Sequence, residues 1–205
     1  MTREAGDEAA ALFNAQAAYA DSIFKTALGD VEGSIQALED SLSIKPDYAP
    51  AILSMGSVEF QLGKKAEALN RFRSLVSMPG ETPDLEEIID EAGDYLIQEG
   101  AYKEGLELFS EAAMRFPENP VFHQGIGCCA GHEGLMDEAI EASRRALELD
   151  PENQKLVNDL GWSLFQNGLL EEARETLKRA VTMDPSDDLA RNNLSECEKE
   201  LSGHP

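Results

Sequence analysis

Residues 159–188 read DLGWSLFQNGLLEEARETLKRAVTMDPSDD, and residues 125–153 read GIGCCAGHEGLMDEAIEASRRALELDPEN. Laid over each other at an offset of 34, they agree where a chain bends and packs. Gly161 falls on Gly127, Gly168 on Gly134, Ala173 on Ala139, Ala180 on Ala146 and Pro185 on Pro151. Ahead of Gly168, Val157, Leu160, Leu164 and Phe165 recur at helical spacing. After it, Ala173, Leu177, Ala180 and Val181 share one face of a second helix. That helix stops at Asp184-Pro185, because proline disfavours α geometry in the residue before it. The unit is two short amphipathic helices joined by a glycine turn.

The same unit extends toward the N-terminus. Gly29, Gly63, Gly100, Gly134 and Gly168 lie 34, 37, 34 and 34 residues apart. Three further series keep those intervals: Ser22, Gly56, Gly93, Gly127, Gly161; then Ser34, Ala68, Gly105, Ala139, Ala173; then Ser41, Leu75, Ala112, Ala146, Ala180. Small side chains at fixed places let helix backbones approach where they cross. One helix pair buries too little apolar surface to stand alone, so the units must stack. Prolines 46, 117, 151 and 185 close units, with Pro79 one place early. Three extra residues fall within MPGETPDL (78–85), which predicts a longer surface loop because Pro79 and Pro83 prevent a simple continuation of the helix.

In period, helix–turn–helix pattern and placement of small residues and proline, the chain resembles the tetratricopeptide repeat family. The resemblance covers about residues 15–187 and is weakest in the first unit, where serine takes three small-residue slots. It implies an all-α solenoid, a right-handed superhelix of five repeats with a C-terminal capping helix. The expected layout is a mobile N-terminus over 1–14, repeats at 15–48, 49–85, 86–119, 120–153 and 154–187, a cap at 188–201 and a mobile tail at 202–205.

The chain holds 17 Lys and Arg against 40 Asp and Glu, a formal charge of −23, with 42% apolar residues. The acidity is spread evenly, since residues 1–102 carry 7 basic and 19 acidic residues. Such a surface repels nucleic acid and anionic lipid and attracts cationic partners. Solubility in a salt-rich host is the alternative reading of the same charge. Three cysteines, two of them adjacent, argue against a disulfide framework, and no apolar run suggests a membrane span or signal peptide. The expectation is a cytoplasmic protein.

The resemblance also implies a concave surface lined by the first helix of each pair. The slots it carries across are Tyr19 and Ile23; Leu53, Ser57 and Phe60; Glu87, Asp90, Asp94 and Gln98; Gln124, Cys128 and His132; and Asn158, Trp162 and Phe165. Family members that grip acidic chaperone tails need inward Lys, Arg and Asn, whereas here Tyr19, Ile23, Ser57, Asp90 and Asp94 stand in those slots. Residues 81–99 contain eight acids and no Lys or Arg. Within them Glu87, Asp90 and Asp94 share one helical face, either as a stripe that reads Lys or Arg on a ligand or as an ordinary solvated face. Trp162 either anchors a ligand or packs between helices.

No catalytic constellation stands out. There is no phosphate loop and no nucleophile elbow, His204 lies in the tail, and no carboxylate has an evidently apolar setting that would raise its pKa. Cys128 and His132, four apart on a helix, are the one candidate start of a metal or redox site. The reading is a non-enzymatic adaptor or chaperone-like scaffold, without cofactor, binding a basic, partly apolar segment of another protein. A chaperone for a secreted client and a self-assembling scaffold with homo-oligomers are the alternatives.

Overall fold

In the computed structural model the described residues are 3–203, with side chains from Gly6 onward. Among them lie eleven α-helices: α1 (Arg3–Ala27), α2 (Val31–Ile44), α3 (Ala49–Gln61), α4 (Lys65–Val76), α5 (Leu85–Gln98), α6 (Tyr102–Arg115), α7 (Pro120–His132), α8 (Met136–Leu149), α9 (Gln154–Gln166), α10 (Leu170–Met183) and α11 (Asp188–Ser202). Five helix pairs are followed by one further helix, the all-α repeat architecture expected of the sequence. The chain forms two compact units, up to Tyr95 and from Leu96, so the division falls inside α5.

Each glycine of the 34-residue series closes a first helix in the left-handed region, with φ between 70° and 78° at Gly29, Gly63, Gly100, Gly134 and Gly168. The residue after the glycine then reaches back across the helix end, as Leu169 N–H does to the Leu164 carbonyl at 3.0 Å and Leu135 N–H to Ala130 at 2.8 Å. These bonds satisfy carbonyls a helix terminus would otherwise leave open. The helices α7, α9 and α11 start on side-chain caps: Asn119 Oδ1 accepts from Val121 N–H, Asn153 Oδ1 from Lys155 N–H, and Asp187 Oδ1 from Leu189 N–H.

The small-residue series are the crossing points. All of Ser22, Gly56, Gly93, Gly127 and Gly161 are buried, as are the two series on the second helices. A Cβ at Gly161 would stand 2.7 Å from Leu177 Cγ, and one at Gly56 2.5 Å from Phe72 Cε1, so the helices touch through these positions. The serines of the first pair do the same job with a hydrogen bond added. Ser34 Oγ donates to the Ser22 carbonyl at 3.0 Å and Ser41 Oγ to the Ala15 carbonyl at 2.9 Å, tying α2 to α1. A buried hydroxyl costs little once it has a partner. In the same unit Arg71 grips Glu59 by two bonds, Nε at 2.6 Å and an NH2 at 2.8 Å, locking α4 to α3.

The N-terminus departs from expectation. Residues 3–14 are not a lead-in but the first turns of α1, a 25-residue helix; the run Ala9–Ala11, Leu12 is strongly helix-forming. Met1 and Thr2 of the expected mobile stretch lie outside the described residues, as do His204 and Pro205 of the tail. Ser202 ends α11, and Gly203 caps it with φ 65°.

Candidate peptide-binding surfaces

The first helices of neighbouring pairs are joined by a ladder of side-chain bonds. In the N-terminal unit Tyr19 Oη meets Ser54 Oγ at 3.4 Å, and Tyr95 Oη donates to the Ser57 carbonyl at 3.1 Å. In the C-terminal unit Gln124 Nε2 donates to Asp159 Oδ2 at 2.7 Å, and Asn193 Nδ2 to Asn158 Oδ1 at 3.0 Å. The partners are 35, 38, 35 and 35 residues apart, one more than the local repeat. The ladder consumes several residues that the sequence alone marks as ligand-facing.

Two of those are withdrawn outright. Phe60 is 6% exposed, edge-on to Tyr95 with centroids 5.7 Å apart and with the Lys65 ammonium 5.1 Å from its ring. Asn158 is 4% exposed and paired with Asn193. Both sit one step around their helices from the solvent side, a register that periodicity does not resolve. Gln124, half-buried, is committed to Asp159.

What remains accessible differs between the units. In the N-terminal unit Ile23, Glu87 and Asp94 are exposed, while Tyr19, Leu53, Ser57 and Asp90 are half-buried. Tyr19 stacks edge-on against Tyr48 at 5.6 Å. In the C-terminal unit Gln98, Cys128 and His132 are exposed, and Trp162 and Phe165 are half-buried with rings 5.1 Å apart. Trp162 therefore neither disappears into the core nor stands free. The His132 ring lies flat on Tyr102 of α6, centroids 3.9 Å apart and 3° from parallel. Cys129 beside Cys128 is fully buried, close against Gly105. Among the described residues no three His, Cys, Asp or Glu are grouped so as to hold a metal ion.

The carboxylates of α5 carry the electrostatic character of the N-terminal unit. Burial first, then the charges of Asp94, Glu91 and Glu87, push Asp90 up to about 6. Asp159 in the other unit is also raised by burial, opposed by hydrogen bonds from Gln124 and Asn158. These correct the expectation that no carboxylate has a pKa-raising environment. Among the described residues no Lys or Arg forms an ion pair with Glu87, Asp90 or Asp94; elsewhere in the same unit Lys25 pairs with Asp21, Lys45 with Asp47 and Arg71 with Glu59.

A carboxyl whose folded pKa exceeds its unfolded value destabilises the fold wherever it is ionised. Asp90→Asn is therefore expected to stabilise the protein at pH 7–8, by about 1–2 kcal/mol once the shift of roughly two pK units is discounted for the water that still screens this half-buried carboxyl. The gain should fade as pH falls from about 6 to about 4 and vanish below, where aspartate is protonated in both states. Urea melts of the two proteins across that range check it; a constant difference would contradict the placement of Asp90.

Two tetratricopeptide repeat family models match, one over residues 91–154 and one over 132–197. Among solved structures, MamA from Desulfovibrio magneticus RS-1 is similar at 19% identity and a TM-score of 0.61, covering 85% of this chain and 97% of that one. YrrB, described as a protein of the same repeat type with an unusual peptide-binding site, aligns at 20% identity and a TM-score of 0.59 over 85% of this chain and 89% of its own. The first repeat domain of Spaghetti (RPAP3), bound to the HSP90 peptide SRMEEVD, gives 21% identity and a TM-score of 0.54 over 57% of this chain and 93% of its own. At such identities these likenesses speak for the fold. No curated protein matches the chain. No helix among the described residues is long and apolar enough to cross a membrane. The two family matches together span residues 91–197, just over half of the 205, and with five glycine-turned helix pairs on the same period, the chain belongs to the tetratricopeptide repeat family.

Proposed function

We propose that this protein is a non-enzymatic adaptor or chaperone-like scaffold that takes up a basic, partly apolar segment of another protein. The fold is that of a protein–protein interaction scaffold; the finer reading rests on α5. There Glu87, Asp90 and Asp94 form a carboxylate row with no Lys or Arg among the described residues paired to it, and one member is held against its preferred ionisation. A Lys or Arg from a ligand would relieve that repulsion. Half-buried Tyr19 and Leu53, with exposed Ile23, supply apolar area in the same unit. In the C-terminal unit Trp162 and Phe165 offer a separate aromatic contact of the kind that concentrates binding energy.

The acidic peptide SRMEEVD bound by the RPAP3 domain has the opposite sign to what this row would accept. The test is fluorescence anisotropy with a labelled peptide of alternating Lys/Arg and Leu/Phe, beside a counterpart with Glu at every basic position. The basic peptide is expected to bind and to weaken steadily between 50 and 500 mM salt, roughly a threefold change in Debye length. Equal binding of the acidic counterpart would refute the proposal.

A further inference from the structure

The face of α1 turned away from the core has a pattern of its own. Ala15 and Ser22 are buried on the inner side. Opposite them lie Ala10, Phe13, Ala17, Ala20, Phe24 and Ala27, all exposed, Phe13 by 70% and Phe24 by 62%. Their spacing of 3, 4, 3, 4 and 3 residues is the a/d seam of a coiled coil, and it puts Ala15 and Ser22 at the f positions farthest from that seam. The core-facing side of α1 and this seam are thus back to back on one helix.

The seam also reads the same from either end: Ala-Phe-Ala-Ala-Phe-Ala. For two identical helices laid antiparallel, with a two-fold axis between residues 18 and 19, every layer matches. Phe13 falls opposite Phe24 of the second copy, Ala17 opposite its Ala20, and Ala10 opposite its Ala27. Small alanines at the centre allow the helices to approach closely, and the phenylalanine layers close the contact above and below. A two-fold interface needs one surface patch that is complementary to itself, which a palindromic seam supplies. We propose that this face of α1 is a homodimer interface in which two copies of the chain pair through antiparallel α1 helices.

Symmetry and charge favour a second copy over other occupants. Phe13 and Phe24, with Ile23 at the g edge of the seam, are each more than half exposed, the kind of contiguous apolar face that marks an interaction site. At the seam's edges, Asn14 lies opposite Asp21 of the second copy and Gln16 opposite its Ile23, so no like charges meet. Asp21 is already neutralised by Lys25 at 2.7 Å. A membrane-surface helix carries a polar face rich in Lys and Arg, whereas the sequence of α1 sets Glu4, Asp7, Glu8 and Asp21 against Arg3 and Lys25.

Sedimentation velocity over 1–100 μM protein tests the pairing, with crosslinking to test its direction. The wild type is expected to be a dimer, and Phe13→Glu with Phe24→Glu a monomer of unchanged helical circular dichroism and melting temperature, since both rings are exposed. In a Cys128→Ser background, Ala17→Cys with Ala20→Cys together should give a reducible covalent dimer on mild oxidation, and each single cysteine should give far less. A wild type that stays monomeric overturns the proposal, and if it then binds phosphatidylcholine vesicles through the two phenylalanines the face is a membrane contact. A dimer that survives the double glutamate variant, or single cysteines that crosslink as well as the pair, overturns it too.

Discussion

Asp90→Lys combined with Asp94→Lys is expected to weaken binding of a basic, partly apolar peptide by about 100-fold or more, which amounts to loss of measurable affinity in a micromolar system. An exposed charge pair contributes roughly 0.2–1 kcal/mol, and deleting Asp94 alone would be modest. Asp90 is half-buried, where a charge pair gains more because water screens it less. Reversal also replaces each attraction with repulsion, and like-charge juxtaposition at an interface costs several kcal/mol. About 3 kcal/mol in total is a factor of roughly 100. The control is Glu138→Lys with Glu141→Lys, two exposed acids on α8 giving the same change in net charge. If only the overall field of the −23 chain mattered, both variants would lose affinity alike, and the α5 reading would fail.

The same row gives binding a pH signature. Because Asp90 titrates at about 6, the free protein loses one of its three carboxylate charges as pH drops through that value. A bound ammonium or guanidinium favours the ionised form and lowers the pKa. Affinity should therefore fall below pH 6, and complex formation near pH 6 should release protons. Calorimetry in buffers of different ionisation enthalpy reads that release directly, and Asp90→Asn should abolish it while leaving the salt dependence from Glu87 and Asp94.

Repeat geometry was legible in the residues because it depends on local backbone and small side chains. Gly29, Gly63, Gly100, Gly134 and Gly168 are needed where φ is positive, and a one-dimensional period reports that directly. What escaped depended on which neighbour a side chain meets. Ser34 and Ser41 weaken the family pattern of the first unit, yet their hydroxyls bind carbonyls of α1. The ladder from Tyr19–Ser54 to Asn158–Asn193 is offset by one from the repeat, so superposed repeats do not display it. Phe60 and Asn158 fell on the wrong side by a fraction of a turn. The burial that raises Asp90 comes from packing around α5, and charge counting along 81–99 shows only its acidity. The apolar seam of α1 starts within residues expected to form a mobile lead-in, where a heptad is easily passed over.

Two glycines of α7 should respond to substitution with opposite sign, although six residues of one helix separate them. A Cβ on Gly125 would stand 2.6 Å from three atoms of the Phe109 ring. That ring is fully buried and neighbours Phe122 at 6.5 Å between centroids, so it has nowhere to go without moving α6 from α7. Gly125→Val adds two further methyls to this clash, and overpacking of this kind costs about 3 kcal/mol or more. Gly131 has ordinary helical geometry and its added Cβ would meet only Ala139 Cβ, at 4.0 Å. There the intrinsic helix preference of alanine over glycine prevails, and Gly131→Ala should stabilise by up to about 1 kcal/mol. Thermal and urea unfolding of both variants provides the comparison, with loss of cooperativity an acceptable form of the first effect, since repeat arrays need not unfold in one step. The helix preference is common to the two sites, so a shared sign would show that Phe109 yields easily and that α6 and α7 are not locked through Gly125.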